Sequence, residues 1–140
     1  MKIRYSVMIL CAVTCIAFVF IFYPDNGNTQ TSGRDLTVGD ILANPSQYDQ
    51  KNVTVVGRAL IVRKKKDSSG KPWMLISFFD MKDDKKVINV FGPGHPNIGN
   101  GDIAKVTGIF KINSKRGRYT FKNEIASSSD RVILVAKPKH

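Results

Sequence analysis

Residues 102–112 read DIAKVTGIFKI, and the spacing within this stretch decides the class of fold. Ala104, Val106, Gly108, Phe110 and Ile112 take alternate positions, with Lys105, Thr107 and Lys111 among the residues between them. A period of two, with one apolar side and one wet side, is the pattern of a half-buried β-strand. A glycine inside such a strand marks a sharp bend or a bulge. Residues 52–63 (NVTVVGRALIVR) repeat the arrangement, since Val53, Val55, Gly57 and Ala59 share one phase and give a second Val-x-Gly pattern.

Four further runs read as strands: 73–80 (WMLISFFD), 86–91 (KVINVF), 118–125 (RYTFKNEI) and a short terminal run, 131–135 (RVILV). Short strands at regular spacing with turn residues between them indicate a sandwich or a barrel. The two internal glycines favour a barrel, because a small closed sheet must bend its long strands sharply. One short helix is expected before them. Thr37 is placed to cap a first turn, Asp40 follows three residues on, and Val38, Ile41 and Leu42 fall at helical spacing before Asn44-Pro45. That is an approximate capping box followed by a stop, and the helix is expected to plug one end of the strands. The expected fold class is all-β, a small five-stranded barrel with one short N-terminal helix.

The order Val53-x-Val55-x-Gly57, then Leu75 to Asp80, Ile88-x-Val90, Gly101-Asp102 and Val106-x-Gly108-x-Phe110 resembles an OB-fold. The resemblance is to the tRNA-anticodon-binding-like and single-strand-binding group, and it spans roughly residues 36–135. Many such folds carry a helix between the third and fourth strands. Here that connection is GPGHPNIGNG, too rich in glycine and proline to be helical. The resemblance implies a ligand across the second and third strands, gripped by the loop joining strands one and two and the loop joining four and five. Those loops would be 63–71 (RKKKDSSGK) and the segment holding 113–118 (NSKRGR). Lys64, Lys65, Lys66, Lys71, Lys115, Arg116 and Arg118 would then flank one groove, as cations following a phosphate backbone must. Stacking surfaces for bases are the second requirement. On the second strand Met74, Ile76 and Phe78 form an apolar set assigned to the core, which leaves Trp73, Leu75, Ser77 and Phe79 on the ligand side. Phe91 and Asn89 of the third strand could join them, as could Tyr119 or Phe121 of the fifth.

The formal net charge of +11 falls to +10 once Lys2, Arg4 and Asp25 of the leader are set aside. So basic a domain calls for an acidic partner: nucleic acid, anionic lipid, acidic polysaccharide or an acidic protein. Residues 7–23 form an apolar run behind Lys2 and Arg4, near the length of a spanning helix, with no small-x-small cleavage site after it. The charge bias keeps the N-terminus in the cytoplasm. The expected organisation is a signal anchor or signal peptide (1–25), a polar tether (26–35), an OB-type domain (36–135) and a basic tail (136–140). The domain would lie outside the cytoplasm, membrane-anchored or, if the leader is cleaved, secreted.

Both cysteines, Cys11 and Cys15, lie in the leader, and the two histidines, His95 and His140, are far apart. No metal site, no cofactor and no catalytic residue is therefore expected. Asp80, Asp83, Asp84, Asp102, Glu124 and Asp130 mostly read as turn residues with no pair suited to acid–base work. The function expected is binding of a polyanion, single-stranded nucleic acid first. Two alternatives stand beside it. One is a structural or protein-interaction domain. The other rests on a resemblance to the haem chaperones of cytochrome c maturation, which place a haem-bearing histidine just after the barrel. His140 lies near that place, but the tyrosine that follows in those proteins is absent.

Overall fold

The computed structural model describes residues 35–139. The expected anchor, the tether up to Arg34 and His140 lie outside them. Among the described residues no helix is long and apolar enough to cross a membrane.

The described chain opens with a two-residue strand, β1 (Leu36–Thr37), laid parallel to β2 (Asn52–Lys66). Thr37 then caps α1 (Val38–Ala43) through a complete capping box. The Asp40 N–H donates to Thr37 Oγ1 at 3.0 Å, and the Thr37 N–H donates to Asp40 Oδ2 at 2.8 Å. Val38 and Ile41 are fully buried, as the helical spacing expects. Pro45 does more than end this helix. It opens a second short helix, α2 (Pro45–Tyr48), at the position where a missing N–H costs nothing.

The remaining strands are β3 (Pro72–Phe79), β4 (Val87–Pro93), β5 (Ile103–Arg116), β6 (Tyr119–Ala126) and β7 (Val132–Ala136), the last entered through a 3-10 turn at Ser129–Arg131. The protein is mostly β. Five of the strands close into a ring in the order β2-β3-β4-β6-β5 and back to β2. Within the ring only β4–β6 is parallel. Closure depends on the length of β2. Its first half pairs with β5 from Asn52↔Ile109 to Arg58↔Ile103, and its second half pairs with β3 from Arg58↔Phe79 to Lys66↔Pro72. The register slips between Ala59 and Ile61, so the irregularity lies just beyond Gly57 and not at the glycine itself. β7 continues along β5 where β6 leaves it.

The two strand glycines sit where ring members come too close for a side chain. A β-carbon at Gly57 would lie 2.7 Å from the Phe79 carbonyl oxygen, and one at Gly108 would overlap the Ala126 carbonyl. Val55, Ala59, Met74, Ile76, Phe78, Val90, Val106, Phe110 and Ile125 point into the ring and are fully buried. The connection from β4 to β5 contains no helix. In its place Pro96 and Ile98 are buried. Its polar groups cover the part of β2 that β5 has left: the Val62 N–H donates to Asn100 Oδ1 at 2.8 Å, and His95 Nε2 lies 2.9 Å from the Lys65 carbonyl oxygen. A strand edge is thereby closed to pairing with another chain.

Candidate functional site

Alternation in β3 sends Met74, Ile76 and Phe78 inward and leaves Trp73, Leu75, Ser77 and Phe79 half-buried on the outer surface. Their partners on β4 are Pro93, Phe91, Asn89 and Val87, so the two strands present one continuous outer face. At one end of it Trp73 and Phe91 meet with ring centroids 5.6 Å apart and planes tilted by 44°. Arg116, the last residue of β5, reaches over Phe91, with Cζ 3.6 Å from the ring centroid. The same Cζ lies 4.3 Å from the centroid of Phe121 on β6. Glu124, 1% exposed and paired in register with Asn89, holds the guanidinium from below. Arg116 Nη1 donates to Glu124 Oε1 at 2.8 Å, and Nη2 donates to Oε2. Four strands thus contribute to one row: Trp73, Phe91, Arg116 and Phe121, with a buried carboxylate beneath it.

The hairpin ends differ from the loops expected. β2 runs on to Lys66 and β3 begins at Pro72, so the turn is only Asp67 to Lys71. Asp67 organises it. The Ser69 hydroxyl, above all, and the backbone N–H groups of Lys71 and Ser69 hold its carboxyl below the ordinary range. β5 and β6 are joined by just Gly117 and Arg118, with Gly117 at φ +58°, a conformation glycine adopts without strain. The basic residues are therefore strand residues as much as loop residues, and alternation separates them. Lys65 is opposite Trp73 and shares its face, as Arg63 shares that of Leu75. Lys64 is opposite the buried Met74, and Lys66 is in phase with it, so both belong to the other face. Lys71 is in the turn, and Lys115 is exposed opposite Thr120. Arg118 lies in the second turn, its Cζ 5.3 Å from the Tyr119 ring centroid. Among the described residues none of these lysines has an ion-pair partner.

Phe79 stands apart from the others, six residues or about 20 Å along β3 from Trp73. It is opposite Arg58, which forms an ion pair with Asp84. The charge at that end of the face is compensated. The structure thus gathers Trp73, Phe91 and Arg116, with Lys65 on their face and Lys71 and Arg118 in the two turns at that end; Lys115 alternates with Arg116 and so points to the other side of β5, and Phe79 is left at a distance. Glu124 lies in a strand, as the run 118–125 led one to expect, and its carboxylate is buried. The sequence signal for it was slight: one carboxylate in an otherwise basic and aromatic strand. Beside Phe91 lies an open hollow of about 380 Å³, bordered by Pro93, Ala126, Ser128 and Arg131.

No family model matches the chain, and no curated protein matches it in sequence. Solved structures do match in shape. One is a candidate nucleic acid-binding lipoprotein from Klebsiella pneumoniae, at 19% identity and TM-score 0.53, the match covering 76% of this chain and 94% of that one. Another is a candidate aspartyl-tRNA synthetase from Leishmania major, at 15% identity and TM-score 0.55, the match covering 82% of this chain and 23% of that one. At such identities the likeness is one of fold, and the five-stranded ring is OB-like.

Proposed function

We propose that the chain is a membrane-anchored OB-type barrel that binds single-stranded nucleic acid on the outer face of β3 and β4, and that it is a binding module rather than an enzyme. The observation that carries the reading is the half-exposed Trp73–Phe91 pair, at 5.6 Å, set between two basic hairpin ends. Base stacking on aromatic rings contributes about 1–3 kcal/mol per base, and a basic surround tracks the phosphates. The face and the two hairpins occupy the positions that OB-folds use for oligonucleotides. The Klebsiella protein, similar in fold, carries nucleic acid binding and a lipoprotein character in its description, which agrees with this reading on both counts. The anchor is residues 7–23, and the leader's charge bias supports a domain outside the cytoplasm.

The test compares the affinity of the full-length protein for a single-stranded oligonucleotide and for a sulfated polysaccharide across a salt series. Trp73→Ala is expected to weaken oligonucleotide binding by about 5- to 150-fold and to leave the polysaccharide almost unaffected, because only bases stack. Equal losses on both ligands, or no loss on either, would contradict the proposal.

A further inference from the structure

A cation on a nucleic-acid face is ordinarily counted as a phosphate contact. The surroundings of Arg116 argue otherwise. Both of its terminal nitrogens donate to Glu124, a carboxylate 1% exposed, so its charge is already neutralised inside the protein. Its guanidinium lies over two rings, 3.6 Å from the Phe91 centroid and 4.3 Å from that of Phe121. The bidentate pair fixes the plane as well as the position of the group, which a lysine ammonium could not offer. Its side chain nevertheless remains 28% exposed. We propose that Arg116 is a stacking surface for a base and not a phosphate ligand, with Glu124 as the residue that positions it. The platform is then Trp73 beside the Arg116 guanidinium, with the Phe91 ring supporting both from beneath, and the phosphates are left to Lys65 and Lys71.

This inference rests on the nucleic-acid reading above, and the experiment separates the two. Two ligands are titrated against the full-length protein over a salt series: a single-stranded oligonucleotide and an abasic strand of the same length, which keeps the phosphates and lacks the bases. Two variants are compared with the wild type. Arg116→Lys keeps a cation beside Glu124 but removes the flat surface. The double variant R116Q/E124Q keeps the net charge of the pair and its capacity for hydrogen bonding. Melting curves confirm that each is folded.

Stacking predicts that both variants lose about 5- to 100-fold in affinity for the base-bearing strand, with abasic binding and the salt slope unchanged. A phosphate contact predicts the reverse: Arg116→Lys is nearly neutral, and R116Q/E124Q weakens both ligands alike while flattening the slope by about 0.7. That pattern overturns the inference and leaves the nucleic-acid reading standing. A purely structural clamp would lower the melting temperature with affinity for both strands intact, which also overturns it. A wild-type protein that binds neither strand overturns both readings.

Discussion

Gly92 lies where β4 passes the chain leaving β6, and a β-carbon there would overlap the carbonyl oxygen of Ser127. Gly57 and Gly108 face comparable obstacles in the carbonyls of Phe79 and Ala126. In all three cases the obstacle is backbone, which cannot rotate away as a side chain can. Gly57→Ala and Gly108→Ala should each destabilise the domain by about 1–3 kcal/mol, the usual cost of overfilling a packed site. Gly92→Ala should cost at least as much. Urea melts measure this directly, and variants that unfold at the wild-type midpoint would show that the strands do not approach as described. The glycines of the two long strands were legible in the sequence because they interrupt an otherwise regular apolar period. Glu124 was not. It pairs with Arg116 eight residues away across a hairpin, and the contact follows from the fixed turn at Gly117–Arg118, which a count along the sequence does not show.

At the scale of elements, a buried carboxylate ties α1 to the ring beside the burial of Val38 and Ile41. Asp80, 4% exposed, accepts hydrogen bonds from the Gly39 N–H at 2.6 Å and from the Lys82 and Asp83 N–H groups at 2.8 and 3.1 Å. It therefore joins the start of the helix to the turn between β3 and β4. Burial alone would raise its pKa, but those three donors, with Lys86 nearby, outweigh burial and hold the group below its ordinary value. A depressed carboxylate contributes stability that is complete above its unfolded-state pKa, about 3.9, and is lost as pH falls through the folded one. Asp80→Asn should therefore cost on the order of 2 kcal/mol at neutral pH, the scale of hydrogen bonds to a charged acceptor. The gap from the wild type should narrow as the pH is taken below about 4. Thermal melts across pH check this, and a gap that stays constant would mean that the carboxylate's charge is not what matters.

The elements themselves were largely legible. All six strands expected from alternation are present as β2 to β7, and α1 lies where its capping box placed it. The misses have a common cause, which is the absence of a burial contrast. Residues 64–66 are lysine on both faces, so no period marks them as strand, yet backbone pairing with β3 carries β2 through to Lys66. The same holds for Lys115 and Arg116 at the end of β5. β1 and α2, at 2 and 4 residues, are too short to show any period.

Across the whole molecule the net charge of +11 indicates an acidic partner but does not say which cations meet it. The ring arranges them unevenly. At the Phe79 end of the outer face Arg58 and Lys86 are matched by Asp84 and Asp83. At the Trp73 end Lys65 and Lys71 have no ion-pair partner among the described residues. The central claim is that a nucleic-acid strand lies at this second end with its bases on the rings. The chain contains a single tryptophan, Trp73, so its fluorescence reports on that place alone. The direct measurement is a titration of the full-length protein with a single-stranded oligonucleotide at low salt, following tryptophan emission, with Phe91→Ala as the comparison. The account predicts saturable quenching, an affinity that falls steeply with salt, and about 5- to 150-fold weaker binding in Phe91→Ala. Binding that leaves the emission of Trp73 unchanged, or no binding at low salt, would contradict it.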